Sequence, residues 1–168
     1  MVFRIQAGQP ENSAEFCDED EKLSEAIETI FPMMTEDAMI VWNTTCIPIG
    51  YKYDVSYMIE DILCMLKTMR ESPDDGTLRI NWPTNSFACR WDLTWDKGVL
   101  TISLNWRSES GRTEQLSKIE VSLLEFINEW KILLEVLIRN LEQCGYDENS
   151  LRDMKALYCE YSHIKATR

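Results

Sequence analysis

Residues 77–107, TLRINWPTNSFACRWDLTWDKGVLTISLNWR, decide the fold. Three runs alternate apolar and polar residues with period two, the pattern of half-buried β-strands. Leu78, Ile80 and Trp82 share a face in the first run. Phe87, Cys89, Trp91, Leu93 and Trp95 do so in the second, and Leu100, Ile102, Leu104 and Trp106 in the third. A two-residue turn at Lys97-Gly98 sets Trp95 opposite Leu100, Leu93 opposite Ile102, Trp91 opposite Leu104 and Cys89 opposite Trp106. A loop at Pro83–Ser86 sets Trp82 opposite Phe87 and Leu78 opposite Trp91. Each pair is apolar with apolar, which a one-residue slip would undo. The stretch is a three-stranded antiparallel meander.

Working outward, Ile119 and Val121 alternate with Lys118 and Glu120, a short strand reached by a polar connection at Ser108–Glu114. Ser122-Leu-Leu-Glu125 then reads as a capping box. It opens a helix to about Cys144 whose broad apolar face includes Phe126, Trp130, Leu134, Leu137 and Leu141. Gly145 suits a left-handed stop, with Tyr146 folding back on the last turn. At ~1.5 Å per residue the helix spans roughly 30 Å, enough to cross the sheet and cover its aromatic face. Each large side chain buried there contributes ~2 kcal/mol. A last helix, about 150–162, follows.

On the N-terminal side, residues 2–7 read as a strand with Phe3, Ile5 and Ala7 on one side. Leu23, Ala26, Ile27 and Ile30 form a helical stripe limited by Pro32. Residues 38–49 read as one strand with Pro48 ending it or lying at an edge. Asp54 or Ser56 caps a helix over 55–71 with the stripe Val55, Ile59, Ile62, Leu66 and Met69. The 168 residues form one α+β domain, a mainly antiparallel sheet with a long helix across its apolar face and additional helices.

A hydrophobic content of 45% with six tryptophans marks a globular chain with a large aromatic core. No basic segment followed by an apolar one opens the chain and no apolar run approaches ~18 residues, so a soluble cytoplasmic protein is expected. Cys17, Cys46, Cys64, Cys89, Cys144 and Cys159 are scattered without a CxxC pair. Free thiols, largely buried, fit better than a disulfide framework. With His163 as the only histidine and no ligand spacing, neither a metal nor a cofactor is expected.

Net charge is −12, and its distribution is uneven: residues 1–61 hold 3 basic and 13 acidic side chains. Such a surface repels nucleic acid and anionic membrane and favours a basic partner. Glu19, Asp20, Glu21, Glu25 and Glu28 are the candidate partner-binding residues. Asp18 to Glu21 also suit a helix start, where the dipole favours negative charge, so a plain solvated helix end is the competing reading. On the polar side of the meander, the register above sets Arg79 opposite Arg90 with Arg107 diagonal to them. Like charges facing each other are unfavourable, so the group points to an offsetting anion, either an internal carboxylate or an external group, with plain solvation as the remaining alternative.

Signatures of catalysis are missing: there is no phosphate loop, GxSxG, HExxH or dinucleotide fingerprint. Glu60/Asp61 and Asp74/Asp75 are sequence neighbours that suit helix and turn chemistry better than an acid/base dyad. Residues 77–147 resemble bacterial immunity proteins, the small cytosolic inhibitors encoded beside polymorphic or contact-dependent toxins. The similarity lies in the Trp-containing hairpins followed by VSLLEFINEWKILLEVLIRNLEQCGYD, a strand running into a long helix. It implies a non-enzymatic binder that occludes a basic toxin, such as a nuclease, stoichiometrically. The alternatives are a small-molecule binding domain or enzyme with a pocket between sheet and helices, and a homo-oligomer whose acidity serves solubility.

Overall fold

The computed structural model describes residues 2–83, 88–107 and 113–164. Its first part comprises β1 (Phe3–Gln6), α1 (Leu23–Ile30), β2 (Ala38–Trp42), β3 (Thr45–Ile49) and α2 (Ser56–Glu71). The second comprises β4 (Asp75–Pro83), β5 (Ala88–Asp96), β6 (Val99–Arg107), β7 (Thr113–Ser122), α3 (Leu123–Gln143) and α4 (Met154–His163). The strands form two antiparallel sheets, β1-β2-β3 and β4-β5-β6-β7, and with the helices make an α+β fold.

The meander forms around the expected turn. Lys97 and Gly98 both take positive φ, +48° and +79°, and Asp96 pairs with Val99. This two-residue reversal matches the twist of the flanking strands. All four β5–β6 pairs read from the sequence occur. The β4–β5 register differs from expectation by two residues: Leu78 faces Leu93, Ile80 faces Trp91 and Trp82 faces Cys89. A slip of two keeps every side chain on its face, so apolar matching cannot detect it. Residues 84–87, and with them the expected Trp82–Phe87 pair, lie outside the described residues. So do residues 108–112 of the expected polar connection. The meander also gains a fourth strand, because β7 pairs with β6 along its length with a bulge between Ile102 and Leu104.

Residues 38–49 are two strands rather than one. Asn43, at φ +54°, turns the chain and sets Trp42 opposite Thr45. Asparagine tolerates this left-handed geometry better than other non-glycine residues. Pro48 lies in β3, the edge strand of its sheet, where a missing amide proton is tolerated. Neither Asp54 nor Ser56 caps α2. A π-helical turn, Tyr51–Val55, precedes that helix. Within it the Asp54 carboxylate accepts from Gly50 N–H at 2.8 Å, and Ser56 Oγ donates to the Lys52 carbonyl.

The core is a contiguous apolar cluster drawing on both sheets and all four helices. Trp42, Trp82, Trp91, Trp95 and Trp130 are all buried. Four rings from three other elements meet at Trp91: Phe3 at 6.1 Å, Trp42 at 5.7 Å, Phe126 and Trp130 each at 6.4 Å between centroids. α3 therefore covers the aromatic face as expected, but it shares the task with the first sheet and with α2, which packs on β4. Ser122 Oγ accepts from Glu125 N–H at the start of α3, and Tyr146 N–H closes its end on the Leu141 carbonyl at 3.0 Å. Glu129 on α3 also accepts from Ile5 N–H, covering the free edge of β1.

All six cysteines are free. Against the expectation that the thiols are largely buried, only Cys89 and Cys144 are; Cys17 and Cys159 are partly exposed, and Cys46 and Cys64 are exposed.

Candidate functional site

Residues 8–22 leave β1 and cross the surface without regular structure before entering α1. No lysine or arginine occurs between Arg4 and Lys22, while the segment carries Glu11, Glu15, Asp18, Glu19, Asp20 and Glu21. Its backbone is tied down along its length. Glu11 N–H donates to Thr35 Oγ1 at 2.8 Å, and that hydroxyl donates back to the Glu11 carbonyl. Ser13 N–H donates to the Ile30 carbonyl at 2.7 Å. Asn12 Nδ2 reaches Asn140 Oδ1 at 2.8 Å and Gln143 Oε1 at 3.1 Å. Asn140 is a buried polar residue on the apolar face of α3, and this contact accounts for it.

The Tyr146 hydroxyl holds the middle of the strap: it accepts from Cys17 N–H at 3.0 Å and donates to the Asp20 carboxylate. Burial foremost, then the bond to Asp20, push its ionisation well above the ordinary phenol range. Phe16 packs against the same ring at a tilt, 4.7 Å between centroids, yet remains half exposed. Farther along, Arg152 N–H donates to the Glu21 carbonyl at 3.2 Å. The strap is thus an ordered acidic ridge across α1, α3 and the start of α4.

The five candidate carboxylates play different parts. Glu25 accepts from Glu21 N–H at 2.9 Å and Lys22 N–H at 3.1 Å, capping its own helix, and the bond from Glu21 holds its pKa low. Asp20 is committed to Tyr146. Glu21 lies 3.5 Å from Arg152 in an exposed pair, worth ~0–1 kcal/mol. Glu28 is half-buried and gives its carbonyl to the Lys52 ammonium. Glu19 is exposed. Glu11, Glu15 and Asp18 are exposed on the same strap and lie outside the candidate set, because helical periodicity points to α1 rather than to the chain leading into it. Exposed Glu36, Asp37, Glu60 and Asp61 extend the acidic surface.

Two of the three arginines, Arg79 and Arg90, pair internally. The two-residue change of register sets Asp92, not Arg90, opposite Arg79. Asp92 Oδ1 lies 2.6 Å from Arg79 Nε, while Oδ2 lies 3.1 Å from Arg90 Nε and 3.2 Å from Asn105 Nδ2. The hydrogen bond from Arg79 leads the causes that hold the Asp92 carboxyl below its usual range. The offsetting anion is therefore on the middle strand itself. The side chain of Arg107 lies outside the described residues.

A cleft of about 610 Å³ opens between α2, α3, α4 and the β5–β6 turn. Its walls are mainly aliphatic, from Leu66, Met69, Leu123, Leu124 and Ile127. Arg70 meets the buried Glu160 there through two hydrogen bonds of 2.8 and 3.1 Å. His163 lies at the same cleft, its Nδ1 2.7 Å from the Cys159 carbonyl. Among the described residues, no three histidine, cysteine, aspartate or glutamate side chains come together to hold a metal ion. No helix among them is long and apolar enough to cross a membrane. No family model, curated protein or solved structure matches the chain.

Proposed function

We propose that the chain is a non-enzymatic, stoichiometric inhibitor of a basic protein: an immunity protein that masks a basic toxin domain in the cytoplasm. The observation that carries this reading is the strap, which presents Glu11, Glu15, Asp18 and Glu19 to solvent from a hydrogen-bonded backbone. Such a ridge draws in a cationic partner over distance and costs little further ordering when it docks. Carboxylates seated on the toxin's cations would deny those groups to its substrate. The six free thiols fit a reducing compartment.

Affinity capture from cells expressing the chain with its neighbouring open reading frame tests the proposal. A basic protein retained one-to-one is expected, and reversing Asp18 and Glu19 to lysine should release it. Retention of only acidic or neutral proteins, or unchanged retention by the reversed variant, would contradict it.

The aliphatic cleft favours a second reading, a binding site for an apolar small molecule anchored near Arg70 and Glu160. Native mass spectrometry of the freshly isolated chain distinguishes the two. A bound small molecule would support this second reading.

A further inference from the structure

An apolar knob stands at one end of the strap. In the loop after α1, Met33 is 71% and Met34 95% exposed; on the π-helical turn and α2, Tyr53 is 45% and Tyr57 59% exposed. Met33 and Tyr53 line a common crevice of about 120 Å³, and Tyr57 follows Tyr53 one turn on. Leaving four large side chains in water forgoes their burial, and methionine and tyrosine are enriched where proteins meet.

The knob is held in place. Thr35, next to Met34, exchanges two hydrogen bonds with Glu11, and Gln9 N–H donates to Glu36 at 2.9 Å. Lys52 ties the π-helical turn to α1 by donating to the Glu28 carbonyl. On α2, Glu60 accepts from Ser24 of α1. These contacts carry the acidic strap up to the knob, with exposed Glu11, Glu36 and Asp37 on its loop side and exposed Glu60 three residues after Tyr57. The Lys52 ammonium, 5.8 Å from the centroid of the Tyr53 ring, is engaged by the Glu28 carbonyl.

We infer that this knob is the centre of the docking face, and that a basic protein with an apolar recess occupies it. The inference rests on the proposed function and names the surface that serves it. Charge selects the occupant. A second copy would bring the same carboxylates against one another, and nucleic acid or an anionic membrane would be repelled. A cationic rim around an apolar recess complements both parts of the face. The methionines and tyrosines then set how long the complex lasts, while the strap sets how fast it forms.

Site-specific photocrosslinking in the native cells tests this with the full chain. p-Benzoylphenylalanine replaces Met34 or Tyr57, and in controls it replaces Val99 or Ile132, which are 51% and 47% exposed elsewhere. A light-dependent one-to-one adduct with a basic protein from positions 34 and 57, much stronger than from the controls, is expected. Tyr57→Ala should then weaken that complex roughly tenfold or more, mainly through faster dissociation. A basic adduct arising only from position 99 or 132 would overturn this surface while leaving the proposed function standing. An adduct with a second copy from 34 and 57, or no protein adduct there, would overturn the assigned face. The absence of a basic adduct from every position would overturn the proposed function with it.

Discussion

Trp130 packs its indole against Trp91 and Phe126 while its Nε1–H finds no acceptor among the described residues. The ring's contribution is therefore shape and apolar area rather than polarity. Trp130→Ala should cost about 3–5 kcal/mol, whereas Trp130→Phe, which also discards the unsatisfied donor, should cost roughly 1–2 kcal/mol. Urea denaturation of both variants measures the difference; equal losses would contradict it. Asp92 is the opposite case, a polar residue whose value lies in its partners. The folded protein holds its pKa below the unfolded value, so its stabilisation is present above the usual carboxylate range and is lost as pH falls through the depressed pKa. Because Arg79 and Arg90 are solvent-exposed, Asp92→Asn should cost only about 1 kcal/mol at neutral pH and low salt. The gap from the unmodified chain should shrink below about pH 4 and in high salt.

Among the elements, the meander was most legible because alternation and a Lys-Gly turn jointly constrain it. What the pattern could not fix was the β4–β5 register, since shifts of two residues leave each face intact. That ambiguity alone created the apparent Arg79–Arg90 opposition. The β2–β3 turn escaped notice because Asn43-Thr44 lacks the glycine of a strong hairpin signal. The strap was legible as charge but not as structure, since its order comes from tertiary contacts with Thr35, Asn140 and Tyr146. Gly76 shows a similar dependence. A Cβ there would stand 2.2 Å from the Trp95 ring, whose Nε1–H donates to the Ser72 carbonyl at 2.7 Å. Gly76→Ala should displace the indole, cost about 1–3 kcal/mol and change the near-ultraviolet circular dichroism. An unchanged spectrum and stability would show that the ring need not lie over the glycine.

At the scale of the whole molecule, the aromatic meander and the first sheet are scaffold, and the acidic strap of residues 8–22 forms the outward-facing ridge. Two sheets and α3 close around Trp91, leaving the tryptophans described there in the core rather than available to a partner. The acidic strap is exposed instead, and its first residues are joined to the loop that carries the exposed methionines. A surface of this kind acts first through its field, so ionic strength is the sharpest probe of it. The decisive measurement is the stopped-flow association rate of the chain with the basic protein proposed as its partner, across ~0.02 to 0.5 M salt. A rate that falls steeply with salt is expected, with a shallower fall when Asp18 and Glu19 are reversed to lysine. A rate indifferent to salt, or a slope unchanged by the reversal, would contradict it.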